Sequence, residues 1–167
     1  PSYRKPMIMW NDGKGYFIYD RNKVMPFLPD PIGTLAAGDV DGDGDLDLVA
    51  ATYGQNALLL NKGQGKFVDV TATHMPAGKH KTRDMILVDV DGDLDLDIFA
   101  ANFDEQQRLY RNDGKGRFTD FTTGNVPAGK HYITTVTAGD IDSDGDMDLL
   151  IGTSLNSGGK ADLIYQN

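Results

Sequence analysis

The chain has 167 residues, a net charge of −9 and no cysteine, with 40% hydrophobic and 25% charged residues. This suits a globular protein large enough to bury a core. It excludes a disulfide framework and thiolate zinc sites, a membrane-spanning apolar run, and the basic footprint that nucleic acid requires. Lack of cysteine leaves the redox compartment open. The chain starts at Pro1 without a charged and apolar leader, as expected of a mature, trimmed or excised chain.

In chain order, the first element is Ile8-Met9-Trp10-Asn11. The turn Asp12-Gly13-Lys14-Gly15 and the aromatics Tyr16 and Phe17 follow. Residues 33–38 then lead into Asp39-Val40-Asp41-Gly42-Asp43-Gly44-Asp45-Leu46-Asp47, an aspartate at every second position. An apolar run at 46–51, a second at 57–60, the turn Asn61-Lys62-Gly63-Gln64-Gly65 and a mixed segment at 66–70 complete the unit. The unit recurs. Asp39, Asp89 and Asp140 are spaced by 50 and 51 residues, and Asn61 is answered by Asn112 and Asn167. Pro76-Ala77-Gly78-Lys79-His80 also returns, as Pro127-Ala128-Gly129-Lys130-His131.

Each unit reads as four short strands. The first are 33–38, 85–88 and 133–138, entering the acidic loop, and the second are 46–51, 96–101 and 147–152, leaving it. The third are 57–60, 108–111 and 163–166, with 7–10 as an early copy. The fourth are 66–70 and 117–121, with 16–19 as an early copy. β-branched and aromatic composition without a helical period supports strands, and Asn-Xaa-Gly supplies the positive φ of tight hairpins. No amphipathic helix is expected. Four antiparallel strands per repeat of about fifty residues is the signature of an all-β propeller blade. The expected division is a half blade at 8–20, blades at 33–71 and 85–122, and a blade lacking its last strand at 133–167. About three and a half blades leave open faces and edges. The chain is then either part of a longer propeller or a unit that closes a seven-bladed ring as a homodimer.

The three nonapeptides hold 15 of the 25 acidic residues. Carboxylates at this density repel each other unless a hard cation binds, and Ca²⁺ takes about six to eight oxygens from short flexible loops. The expected metal ligands are Asp39, Asp41, Asp43, the carbonyl of Asp45, and Asp47. Asp89, Asp91, Asp93, Asp95 (carbonyl) and Asp97 form the second set. Asp140, Asp142, Asp144, Asp146 (carbonyl) and Asp148 form the third. Gly44 and Gly145 suit the sharp turn after position 5, whereas Leu94 stands there in the second loop and predicts a weaker or altered site. Magnesium and manganese share the oxygen chemistry. One such loop could be an ordinary acidic surface turn, but three in register argue against that. EF-hand and dockerin loops need an acidic residue at position 12, where this chain has Ala50, Ala100 and Ile151.

The segments Gly38 to Val49 and Gly139 to Leu150 resemble the FG-GAP or VCBS repeat of integrin α-subunit propellers and bacterial secreted proteins. Leu109 to Asp120 is similar to the second half of the bacterial form. The resemblance implies a propeller, often seven-bladed, with structural calcium between the first two strands of each blade and partners on the opposite face. Members serve in adhesion, as lectins, and as non-catalytic parts of polysaccharide-active enzymes. The function expected is a non-enzymatic, secreted (extracellular or periplasmic) platform for protein or glycan ligands. Lectin, accessory segment of a polysaccharide-active enzyme, and self-assembling half-ring are the alternatives. No His-Glu-Xaa-Xaa-His motif, nucleophile elbow or phosphate loop occurs. The loops 52–56, 102–107 and 153–162, with Tyr53, Phe103 and Arg108 at or near them, and the repeated His80 and His131 reach the face opposite the acidic loops. Aromatic residues there suit stacking on sugars. Trp10 aligns with Leu60 and Tyr110 and reads as packing.

Overall fold

The computed structural model describes residues 7–19, 25–154 and 162–167. A short hairpin, β1 (Met9–Asn11) and β2 (Phe17–Tyr19), comes first. The first blade is β3 (Ile32–Gly38), β4 (Asp47–Thr52), β5 (Ala57–Asn61) and β6 (Phe67–Asp69), antiparallel in that order. The second is β7 (Thr82–Val88), β8 (Asp97–Glu105), β9 (Arg108–Asn112) and β10 (Phe118–Asp120), and the third is β11 (His131–Gly139), β12 (Asp148–Thr153) and β13 (Leu163–Tyr165). Each first strand is shifted by a bulge near its start, at 32–34, 82–84 and 133–135, so the repeat extends to its irregularities.

Period-two alternation explains why the blades stack. In the first blade Val49, Ala51, Leu58 and Leu60 turn toward the second, where they meet Met85, Ile98, Ala100 and Tyr110. Ala50, Ala57 and Leu59 turn the other way, toward Met25, Leu28 and Ile8. In the second blade Phe99, Ala101 and Leu109 face Ile133, Leu149 and Ile151 of the third. Both faces of β4 and β8 are therefore buried, which is why their sequences read as continuous apolar runs. In the third blade Leu150 and Ile164 are paired neighbours, 38% and 59% exposed. They occupy the places of Val49 and Leu58, both fully buried in the first blade.

Two elements depart from expectation. Residues 102–107 read as a loop, but β8 runs on to Glu105, where Phe103 and Glu105 pair with Tyr132 and His131 of β11. The ladder supplies partners for backbone groups that a loop would leave to water. It also joins the second and third blades into one sheet. A single helical turn, α1 (Thr71–His74), closes the first blade where no helix was expected. Its Thr71 hydroxyl accepts the N–H of Leu58 at 2.9 Å, and Thr122 does the same for Leu109 at 3.1 Å. Of the expected 153–162 loop, residues 155–161 lie outside the described residues.

Candidate metal centre

All three acidic loops sit between the first and second strands of a blade, and their shape follows from carboxylates accepting backbone N–H groups. Asp39 accepts from Gly42 and Gly44, both at 2.9 Å. Asp89 accepts from Gly92 and Leu94 at 2.8 and 2.9 Å, and Asp140 from Asp144 and Gly145 at 3.2 and 3.1 Å. Asp43, Asp93 and Asp144 each accept the N–H two residues on, at 3.0 Å in every loop. Two residues per loop adopt positive φ: Gly42 and Gly44, Gly92 and Leu94 (φ 72), Ser143 (φ 64) and Gly145. The strained Leu94 matches the sequence reading, while the second left-handed position, held by Ser143 in the third loop, was not anticipated. Leu94 is 89% exposed. Its side chain gains almost no burial to offset that backbone, so Leu94→Gly should stabilise the chain by about 1 kcal/mol in urea unfolding.

The ninth aspartate has a second role, which sequence reasoning missed. Asp47, Asp97 and Asp148 are at most 1% exposed. One oxygen of each accepts an N–H from loop position 2, namely Val40 (3.0 Å), Val90 (3.2 Å) and Ile141 (2.9 Å). The other accepts the N–H of the asparagine that ends or follows the third strand, Asn61 (2.8 Å), Asn112 (2.8 Å) or Asn167 (2.9 Å). In the second and third blades that asparagine also reaches the preceding blade. The Asn112 amide donates to the Val40 carbonyl at 2.9 Å, and that of Asn167 to the Val90 carbonyl at 2.8 Å. The first and second loops are thus each tied to the next blade. The signal was present in the sequence as the threefold Asn61, Asn112 and Asn167.

The structure brings together Asp39, Asp41 and Asp43 in the first loop, Asp89, Asp91 and Asp97 in the second, and Asp140, Asp142 and Asp148 in the third. In each trio one oxygen per residue lies within 4.8 Å of the others. Asp45, Asp95 and Asp146 stand outside these trios. Asp45 and Asp95 instead lie beside Gly63 and Gly114 in the following hairpins. Asp47, Asp93 and Asp144 also stand outside the trios. The donor set fits a hard cation. All the side chains offer carboxylate oxygens, and Asp41 Oδ1 is buried with no hydrogen-bond partner.

A cation or amide from the end of the third strand leans over each loop. Lys62 Nζ lies 3.0 Å from Asp41 Oδ2 and 3.9 Å from Asp43 Oδ2. Arg111 lies 2.5 Å from Asp91 Oδ2 and 3.3 Å from Asp93 Oδ2, with its guanidinium 5.8 Å from the Phe121 ring centre. In the third loop the neutral Gln166 amide donates to Asp142 Oδ2 at 3.2 Å.

Desolvation by burial pushes the Asp47 and Asp97 carboxyls above the ordinary value of 3.8, against the N–H groups that pull them down. Asp142 is raised too, by desolvation and then by its carboxylate neighbours. Asp93 is held low by the Asp95 N–H and then, against a smaller desolvation, by Arg111. A carboxyl raised in the folded state contributes stability that is full below its unfolded value and is lost as pH rises through its folded value. Asp93 acts oppositely, but only as pH falls below 3.8. The carboxyl contribution to the stability of the metal-free chain should therefore grow as pH drops from 7 toward the carboxylate range, set against His74, whose imidazole is held below 6.5 by desolvation and then by Arg117 and so takes stability away as pH falls. Saturating calcium should reverse that slope, because the ion requires ionised ligands. Urea midpoints against pH, with calcium and with chelator, check the sign.

At the other end of the blades, Thr82 donates to Asn102 Oδ1 at 2.8 Å and accepts the Asn56 amide at 2.9 Å, all three buried. The Arg83 guanidinium lies between Tyr53 (5.5 Å) and Phe103 (5.1 Å), and Phe103 meets Tyr132 edge-on at 5.1 Å. The expected aromatics thus cluster, joined by Arg83 and Tyr132, which the sequence reading did not single out. His80 pairs with Glu105 at 3.3 Å, His131 stands at the start of β11, and each ring lies over the glycine two residues before it, Gly78 or Gly129. Arg108 pairs with Asp120 at 3.4 Å. Trp10 packs over Gly65, as core alignment predicted.

Stacked antiparallel blades with an acidic loop between the first two strands define an all-β repeat protein of propeller type. The FG-GAP-like repeat matches residues 39–100 and 89–151, and the chain belongs to this family. No curated protein is significantly similar to it.

Proposed function

We propose that the chain is a non-enzymatic, calcium-stabilised propeller module, working outside the cytosol as a platform for protein or glycan ligands. The threefold loop carries this reading: it gathers carboxylates around one point and leaves a buried Asp41 oxygen unpartnered. The ligands proposed are the aspartates at positions 1, 3, 5 and 9 of each loop and the position 7 carbonyl. A bound calcium supplies the positive charge that offsets their repulsion. The chain's own part is to hold the first strand against the second and, through Asn112 and Asn167, one blade against the next. Calcium at a hundredfold over its dissociation constant adds about 2.7 kcal/mol per site. Thermal melts should move up with calcium and down with chelator, and an unchanged midpoint would sink the reading. Magnesium in place of calcium tests the choice of ion.

Ligand recognition belongs to the opposite end, where Tyr53, Arg83, Phe103 and Tyr132 span three blades. A glycan array probed in saturating calcium tests the lectin form, and no hits there would leave protein ligands. The exposed Leu150 and Ile164 favour completion of the ring by further blades, in a longer chain or a second copy. Light scattering showing a monomer at high concentration would remove the second copy.

A further inference from the structure

We infer that Lys62, Arg111 and Gln166 set the order in which the three loops take up calcium, the third loop filling first and the second last. This rests on the calcium reading above and goes beyond it, because the loops share a backbone plan and differ in what leans over them. The same oxygen, Oδ2 of the position 3 aspartate, is engaged each time: by the Lys62 ammonium at 3.0 Å, the Arg111 guanidinium at 2.5 Å, and the uncharged Gln166 amide at 3.2 Å. A divalent ion entering the first or second loop meets a positive charge already within contact distance of its ligands. It must displace that charge or tolerate it. In the third loop, among the described residues, it meets an amide dipole and no cation.

The two cations are not equal obstacles. Lys62 is a single flexible ammonium whose second carboxylate, Asp43, lies 3.9 Å away, so it can swing into water at small cost. Arg111 bridges Asp91 and Asp93, and its other side is braced by the Phe121 ring, so moving it breaks three contacts at once. The strained Leu94 lies in that same loop. Lys62 and Arg111 also act as resident counter-ions that hold the first two loops in shape without metal. The third blade, with no such cation over its loop among the described residues, is where calcium concentration is read.

Calorimetric titration of the metal-free chain with calcium chloride, beside equilibrium dialysis for stoichiometry, tests this. The expected result is one tight site followed by two weaker ones. Asp142→Asn should abolish the tight site and leave the weaker two. Gln166→Lys, a surface change, should weaken the tight site about tenfold, and Lys62→Gln or Arg111→Gln should strengthen one weak site about tenfold, as expected for one charge a few ångströms from a divalent ion. Three equal sites, or a tight site that survives Asp142→Asn and ignores Gln166→Lys, would overturn the order while leaving calcium binding intact. No calcium uptake by the unaltered chain would overturn both.

Discussion

Asp97→Ala should destabilise the metal-free chain by about 4 kcal/mol, because it leaves two buried N–H donors unpaired at roughly 1–3 kcal/mol each and opens a small void. Those donors are Val90 and Asn112, and the carboxylate between them is fully buried. Removing a negative charge from a crowded loop should act the other way, and Asp97→Asn separates the two effects. Asparagine keeps one acceptor oxygen and the shape but discards the charge. If repulsion dominates, Asp97→Asn stabilises the metal-free chain. If the N–H bonds dominate, it costs about half as much as alanine. The bonds are expected to win, since the Asn112 N–H donates at 2.8 Å in a buried position and the part-buried Val90 N–H adds to it at 3.2 Å. Urea unfolding in chelator measures both variants.

Asn112→Ala should cost about 3 kcal/mol and should loosen the first loop although it lies in the second blade. The asparagine amide donates to Val40 and Leu96, and its oxygen accepts the Gly116 N–H at 3.1 Å. Asn61 is the internal control. Its amide reaches only Leu46 of its own blade, at 3.2 Å, and its oxygen accepts Gly63 at 3.1 Å. Asn61→Ala should therefore cost less and stay local. Hydrogen exchange read at residues 40–47 distinguishes the cases, with faster exchange there in Asn112→Ala as the expected outcome.

What the sequence revealed and what it concealed divide by distance along the chain. The loops were legible because their turn chemistry is local. Alternating aspartates cap nearby N–H groups, and Leu94 stands out where a left-handed residue is needed. The strands were legible from composition and from the hairpin glycines. The double duty of Asp97 was hidden because one of its donors, Asn112, arrives 15 residues later from another strand. The tie from Asn112 to Val40 spans 72 residues and belongs to blade stacking, not to any local pattern. The extension of β8 was concealed for the same reason. Phe103 and Glu105 become strand only because β11, from the next repeat, lies beside them. Lys62, Arg111 and Gln166 do not occupy one aligned position. Lys62 follows its asparagine and the other two precede theirs, so only the fold shows that they reach the same oxygen.

The alternation that sends Val49 and Leu58 one way and Ala50 and Leu59 the other has a consequence for how such a chain can grow. Every blade presents one kind of face forward and its complement backward, so the junction between neighbours has the same grammar at each step. Duplicating a unit of about fifty residues adds one forward and one backward face together and creates no new type of contact. Blade number is then free to drift by gene duplication or deletion, while the loops, asparagine ties and bulges travel inside each copy. Selection on any single blade then acts chiefly through its two neighbours.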